Sequence, residues 1–183
     1  MADEFDWQGT LQLAVDTGSC YAAMAFDTEG TFYGSYPLDA EGNYKHNVWG
    51  GEYAYETNVT QEDGSEAAAT VDEVENLIKL ISGRKGDVPA GVGIRIDQVK
   101  YLHIKSMKSE KFSVTPPGAE EEQEITIDDT HVLRAGSKGA LVMVRGGYMF
   151  ICLHDASDPK QQVPGASEAI CGVSYWCSGA DPE

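Results

Sequence analysis

At 183 residues, with 42% hydrophobic and 23% charged residues, the chain has the length of one domain and enough apolar content for a core. A formal net charge of −17 argues against nucleic acid as a partner and against strong attachment to anionic membranes. No apolar run approaches the roughly 18 residues of a bilayer span, and the acidic start Met1-Ala2-Asp3-Glu4 lacks the apolar core of a signal peptide, so a cytoplasmic location is expected.

The first element is a helix: Trp7, Leu11, Ala14 and Val15 recur on one face of a 3.6-residue period, with Asp3 or Asp6 as cap and Gly18 as stop. A hairpin follows, Cys20–Phe26 with Thr31–Tyr36, turning at Asp27-Thr28-Glu29-Gly30. Glu52–Val59 alternates aromatic and polar residues and is expected to pair with Ala67–Thr70 across the turn QEDGSE, as an acidic arm at about 50–70 projecting into solvent. The next helix is expected over Thr70–Ile81, where Thr70 and Glu73 match a capping box and Val71, Val74, Leu77, Ile78 and Ile81 form the apolar stripe.

Strands then follow: Val92–Ile96 and Val99–Ile104 around Asp97-Gln98, a short Lys111–Val114, Glu124–Leu133, and Ala140–Val144 with Tyr148–His154 across Arg145-Gly146-Gly147. Between them, Pro116–Glu124 reads as an acidic surface loop. The last element is a helix over Ser167–Cys177, with Ile170, Val173 and Cys177 on one face and Tyr175 nearly opposite. The order is helix, strands, helix, strands, helix. This is an α+β pattern with a mainly antiparallel sheet in a single domain over 1–183.

Charge is unevenly spread. Residues 1–75 hold 16 acids and the single base Lys45, whereas residues 84–111 hold seven bases and three acids. An acidic molecule with one basic segment fits a docking face for an acidic partner, although an ordinary solvated face has the same composition.

Sequence signals for catalysis are weak. Asp16-Thr17-Gly18-Ser19 looks like the core of an aspartic protease, but that chemistry needs two carboxylates sharing a proton, and Asp16 ends a helix-like stretch. The histidines 46, 103, 131 and 154 lack metal-ligand spacing, and no phosphate-cradling glycine motif is present. The four cysteines lack C-x-x-C spacing and read as buried small hydrophobes. No cofactor and no metal is expected, and the chain reads as a binding protein rather than an enzyme. Trp7, Tyr33, Tyr175 and Trp176 are the aromatic candidates. Such rings offer a flat face plus an N–H or O–H, which suits a polyproline II ligand, while core packing explains Trp176 equally well.

In this order and spacing the elements resemble the profilins. Asp6-Trp7-Gln8 opens the first helix in that family's manner, Tyr33 stands at a usual tryptophan position in DTEGTFYGSYP, and Arg134-Ala135-Gly136-Ser137-Lys138-Gly139 followed by ALVMVRGGYMFICLHD matches the basic turn and last hairpin. SEAICGVSYW matches the last helix, and the acidic arm looks like that of apicomplexan and related alveolate profilins. The resemblance implies a central antiparallel sheet with both terminal helices on one face and shorter helices on the other.

It further implies a cytoskeletal protein that binds monomeric actin and regulates its polymerisation. Actin would meet Lys100, Lys105, Arg134, Lys138, Arg145 and Lys160, and proline-rich partners such as formins would meet Trp7, Tyr33, Tyr175 and Trp176. An adaptor for proline-rich or trafficking partners, without actin, is the alternative. The departures are Ile96-Asp97-Gln98-Val99-Lys100 in place of the usual Gly-Gly-Gln-Lys hairpin, Thr10 in place of a ring, and a long acidic loop. They imply weaker polyproline binding and speak against phosphoinositides.

Overall fold

Seven strands form one antiparallel sheet. In the computed structural model, which describes residues 4–177, the strands are β1 (Ala22–Asp27), β2 (Phe32–Tyr36), β3 (Tyr55–Thr60), β4 (Glu66–Val71), β5 (Ile94–Ile96), β6 (Val99–Val114), β7 (Gln123–Ala135), β8 (Lys138–Arg145) and β9 (Tyr148–Asp155). The sheet order is β2-β1-β9-β8-β7-β6-β5, and β3 and β4 form a separate hairpin. Among the described residues three α-helices, α1 (Trp7–Asp16), α2 (Glu73–Ile81) and α3 (Val163–Cys177), and two short 3-10 helices, Gly51–Tyr53 and Lys85–Asp87, complete the fold.

At β1, β8 and β9 the sheet is buried on both faces, so these strands are apolar nearly throughout rather than alternating; β9 is buried from Tyr148 to His154. One face packs under α1 and α3 through Leu11, Ala14, Ile170 and Val173, with Ala25, Leu141 and Phe150 from the strands. The other packs under α2 through Leu77 and Leu80, with Met24, Phe26, Val142 and Ile151. This is the layered α+β arrangement expected, with the terminal helices together on one face. All four cysteines are buried free thiols.

Several boundaries differ from the sequence reading. Thr70 does not cap α2. It lies within β4, opposite Glu56, and the Asp72 carboxylate accepts from Glu75 N instead. The two strands expected over Val99–Ile104 and Lys111–Val114 are one 16-residue strand, because β7 pairs with β6 from Leu102 to Val114 and carries the ladder across the polar run between them. α3 starts four residues early, at Val163, with Pro164 in the first turn, where a missing N–H is harmless. Gly172 belongs there for contact: a Cβ would fall 2.9 Å from Pro117 Cδ. At the first helix Asp6 caps Gly9 N at 2.8 Å, and Asp3 lies outside the described residues.

The β3–β4 hairpin is not wholly solvated. Val59 and Val71 are buried with Val92, and Tyr55 packs beside them. Its base is tied to the sheet by Glu73, which is fully buried. The Glu73 carboxylate accepts from Gln98 N at 3.1 Å, Tyr55 Oη at 3.4 Å and Trp49 N at 3.5 Å. Burial pushes its pKa up to about 7 against the pull of these donors.

Candidate functional site

The aromatic candidates divide between two places. Trp7, the first residue of α1, stacks on Tyr33 of β2 with ring centroids 4.8 Å apart and planes 23° apart. Phe5 meets Trp7 edge-on at 4.7 Å, and Tyr148 of β9 lies 5.2 Å from it. Gly34 lets the helix this close, since an added Cβ would stand 3.3 Å from both Trp7 Cβ and Leu11 Cδ1. Gln8 Nε2 donates to Ser35 O at 2.6 Å and pins the helix to β2. Burial, then the carboxylate of Asp27, raises the Tyr33 pKa, so its O–H is retained as a donor. Thr10 adds no ring; its hydroxyl donates to Asp6 O at 2.7 Å.

Tyr175 and Trp176 stand at the end of α3, their rings 5.2 Å apart and nearly perpendicular. Tyr175 packs partly against the core. Trp176 is 38% exposed, and its indole N–H donates to Pro117 O at 2.9 Å. The chain's own Pro117 carbonyl thus occupies that donor. Phe5 and Tyr148 were missed in the sequence. Tyr148 follows the Gly146-Gly147 turn, and β9 carries it beneath Trp7.

The basic candidates also divide. Lys100 and Lys105 are exposed on β6, Arg134 on β7 and Lys138 on β8. The register Leu102↔Arg134↔Gly139 brings Lys100, Arg134 and Lys138 to one end of three neighbouring strands. Lys100 Nζ donates to Ala90 O and Gly91 O, and Arg134 Nε to Gly136 O at 2.8 Å. Among these cations lie two apolar side chains that the sequence did not single out, Leu102 (68% exposed) and Ile104 (49% exposed). Their signal was the non-alternating run Tyr101–Lys105.

Arg145 lies at the opposite end of β8. Its Nη1 donates to Ser174 O at 2.7 Å, so it serves the carbonyl end of α3. Lys160 lies in the loop before α3, its stem 3.8 Å from where a Cβ on Gly18 would be. Asp16 is the exposed last residue of α1. A cavity of about 620 Å³ opens on the α2 side, lined by Phe32, Tyr44, Tyr53, Glu29 and Glu75 among others. Among the described residues no helix is long and apolar enough to cross a membrane, and no cluster of three or more His, Cys, Asp or Glu side chains is placed to hold a metal.

An antiparallel sheet with terminal helices paired on one face defines a known architecture. No protein-family model and no curated protein matches this chain in sequence. Solved structures do. Profilin II of Acanthamoeba castellanii aligns over 96% of this chain and 98% of its own, with 12% identity and a TM-score of 0.53. Profilin IA of the same organism aligns over the same shares with 13% identity and a TM-score of 0.53, and profilin IB with 13% and 0.51. The chain therefore has the profilin fold.

Proposed function

We propose that this chain is a profilin-type regulator that binds monomeric actin and tunes its polymerisation in the cytoplasm. The carrying observation is the exposed patch on β6 and β7, where Leu102 and Ile104 lie between Lys100 and Lys105 with Arg134 paired opposite Leu102 in an otherwise acidic molecule, while Lys138 stands at the same strand end on the other face of the sheet. An apolar centre with a rim of one charge sign is the anatomy of a protein interface, and the rim suits an acidic partner. Arg145 lies at the opposite end of β8, whereas Lys160 lies in the loop that leaves β9 beside Lys138, at the same end of the sheet as Arg134. The β3–β4 hairpin, acidic at its turn, fits the apicomplexan type of arm. The test is polymerisation of labelled actin. Slowed or reduced assembly at a several-fold excess of this protein is expected, and unchanged assembly would overturn the reading.

A second reading rests on the Trp7–Tyr33 stack with Phe5 and Tyr148: an adaptor for proline-rich partners such as formins, with or without actin. Weak binding is expected, since Thr10 supplies no ring and Pro117 occupies Trp176. Titration of tryptophan fluorescence with polyproline separates the readings. A response lost in Trp7→Phe and Tyr33→Ala supports the peptide site, and no response removes it.

A further inference from the structure

We propose that Ser106 is an activated nucleophile, served by His131 as general base and Asp129 as the group that orients it. This goes beyond the binding reading and does not depend on it.

Folding joins residues that stand apart in the sequence. Ser106 of β6 and His131 of β7 are cross-strand partners. Ser106 Oγ lies 2.8 Å from His131 Nδ1, and His131 Nε2 lies 3.0 Å from Asp129 Oδ2. On its other side Ser106 Oγ lies 2.9 Å from His103 Nε2, and His103 Nδ1 lies 3.3 Å from Lys85 Nζ. A nucleophile within hydrogen-bond reach of a base, with the base held by a third group, is the general signature of an activated hydroxyl.

The proton positions follow from donor chemistry. A lysine ammonium only donates, so His103 Nδ1 accepts and its Nε2 carries the hydrogen. That N–H donates to Ser106 Oγ. The serine hydrogen is then directed at His131 Nδ1, which accepts, and His131 Nε2–H donates to Asp129. One tautomer assignment satisfies all four contacts, with Lys85 at one end and the carboxylate at the other.

The backbone is bent to make this possible. In a regular strand, residues 103 and 106 point to opposite faces. The register slips between His103 and Lys105, leaving Ile104 unpaired, and this bulge places His103 and Ser106 on one side. His131 and Asp129 are largely shielded, whereas Ser106 is exposed. The base is buried and the nucleophile is open to solvent. Burial lowers the pKa of both His131 and His103, so both rings are neutral, as a base and a hydrogen-bond donor require. The charged and titratable groups around His131 are Asp129, Lys108, His103 and Lys85.

The reaction class is attack on an activated acyl ester or a phosphonyl fluoride. With an ester, the Oγ–C bond forms as the serine proton passes to His131 Nδ1. The C–O bond to the leaving group then breaks as that proton is returned to the departing alkoxide. The His103 N–H is placed to shift from Oγ to the developing oxyanion. Water attacking the acyl-serine by the reverse route would release the acid. With a phosphonyl fluoride the Oγ–P bond forms as the serine proton passes to His131 Nδ1, the P–F bond breaks, fluoride leaves and a stable adduct remains. The open strand surface fits small activated electrophiles.

The full chain should be treated with a fluorophosphonate probe and with p-nitrophenyl acetate, and adducts mapped by mass spectrometry. An adduct on Ser106 is expected, with a rate that falls as pH drops and His131 is protonated. Ser106→Ala should abolish it. His131→Gln and Asp129→Asn, checked for folding by circular dichroism, should slow it at least about a hundredfold. His103→Gln is a milder second variant that leaves the base in place, and about a tenfold slowing is expected. No adduct on Ser106 would overturn the proposal, as would labelling at an equal rate in folded His131→Gln.

Discussion

The ring cluster at α1, β2 and β9 and the basic patch on β6 and β7 are built in opposite ways. The first is half-buried and locked: Trp7 is stacked, Gly34 admits the helix, and Gln8 ties the two elements together. Substitution there disturbs the packing of α1 on the sheet. The second is exposed and rests on main-chain pairing, so its side chains can change with little consequence for stability. A rigid aromatic platform fits a ligand with a preset shape, and a charged rim fits a partner steered from a distance.

The largest expected effect lies where the basic strands are anchored. Glu73 holds the β5–β6 turn through Gln98 N, with its pKa raised to about 7. The folded state therefore keeps a proton that the unfolded state loses near pH 4.5. Stability is full below that value and falls as pH rises towards 7, by roughly 3 kcal/mol. Glu73→Gln should flatten this fall, as read by urea denaturation at pH 5 and pH 8. An unchanged pH slope would mean that Glu73 is not the group responsible.

Trp7→Ala should lower stability by roughly 2 kcal/mol, less than for a fully buried ring, and remove any polyproline response together. Separation of the two effects would break the claim that the platform is one packed unit. In the basic region the exception to tolerance is Gly139. It is buried against the His154 imidazole, and a Cβ there would overlap the ring. Gly139→Ala should destabilise by about 2 kcal/mol in thermal melts. The smallest stability effect is expected for Lys105→Ala, under about 0.5 kcal/mol, alongside weaker and less salt-sensitive actin binding. A large loss of stability there would erase the contrast between the regions.

Much of the fold was legible because local signals agreed. The Asp6 cap, the Asp27–Gly30 turn and the Arg145-Gly146-Gly147 hairpin each used the residue types their geometry demands. The misreadings came from tertiary pairing overriding local pattern. Thr70 had the right spacing for a cap, but Tyr55↔Val71 pairing kept it in a strand. The polar run Lys105–Glu110 lacked alternation, yet β7 holds it as strand. At the candidate sites, Trp7 and Tyr33 could be read as rings at element starts. Leu102 left only the broken alternation of Tyr101–Lys105, and Tyr148 and the His103–Ser106–His131 cluster could not be read, since their meeting depends on register across strands.

That long strand has one more consequence. β5 covers β6 only as far as Tyr101, so from Leu102 onward, among the described residues, β7 is its sole neighbouring strand. An uncovered edge of this length is a template for strand pairing between molecules. Lysines recur along the strand at 100, 105, 108 and 111, and the bulge breaks its flat outline. The same charges that suit an acidic partner would keep copies of this protein apart, so neutralising them should favour self-association as protein concentration rises.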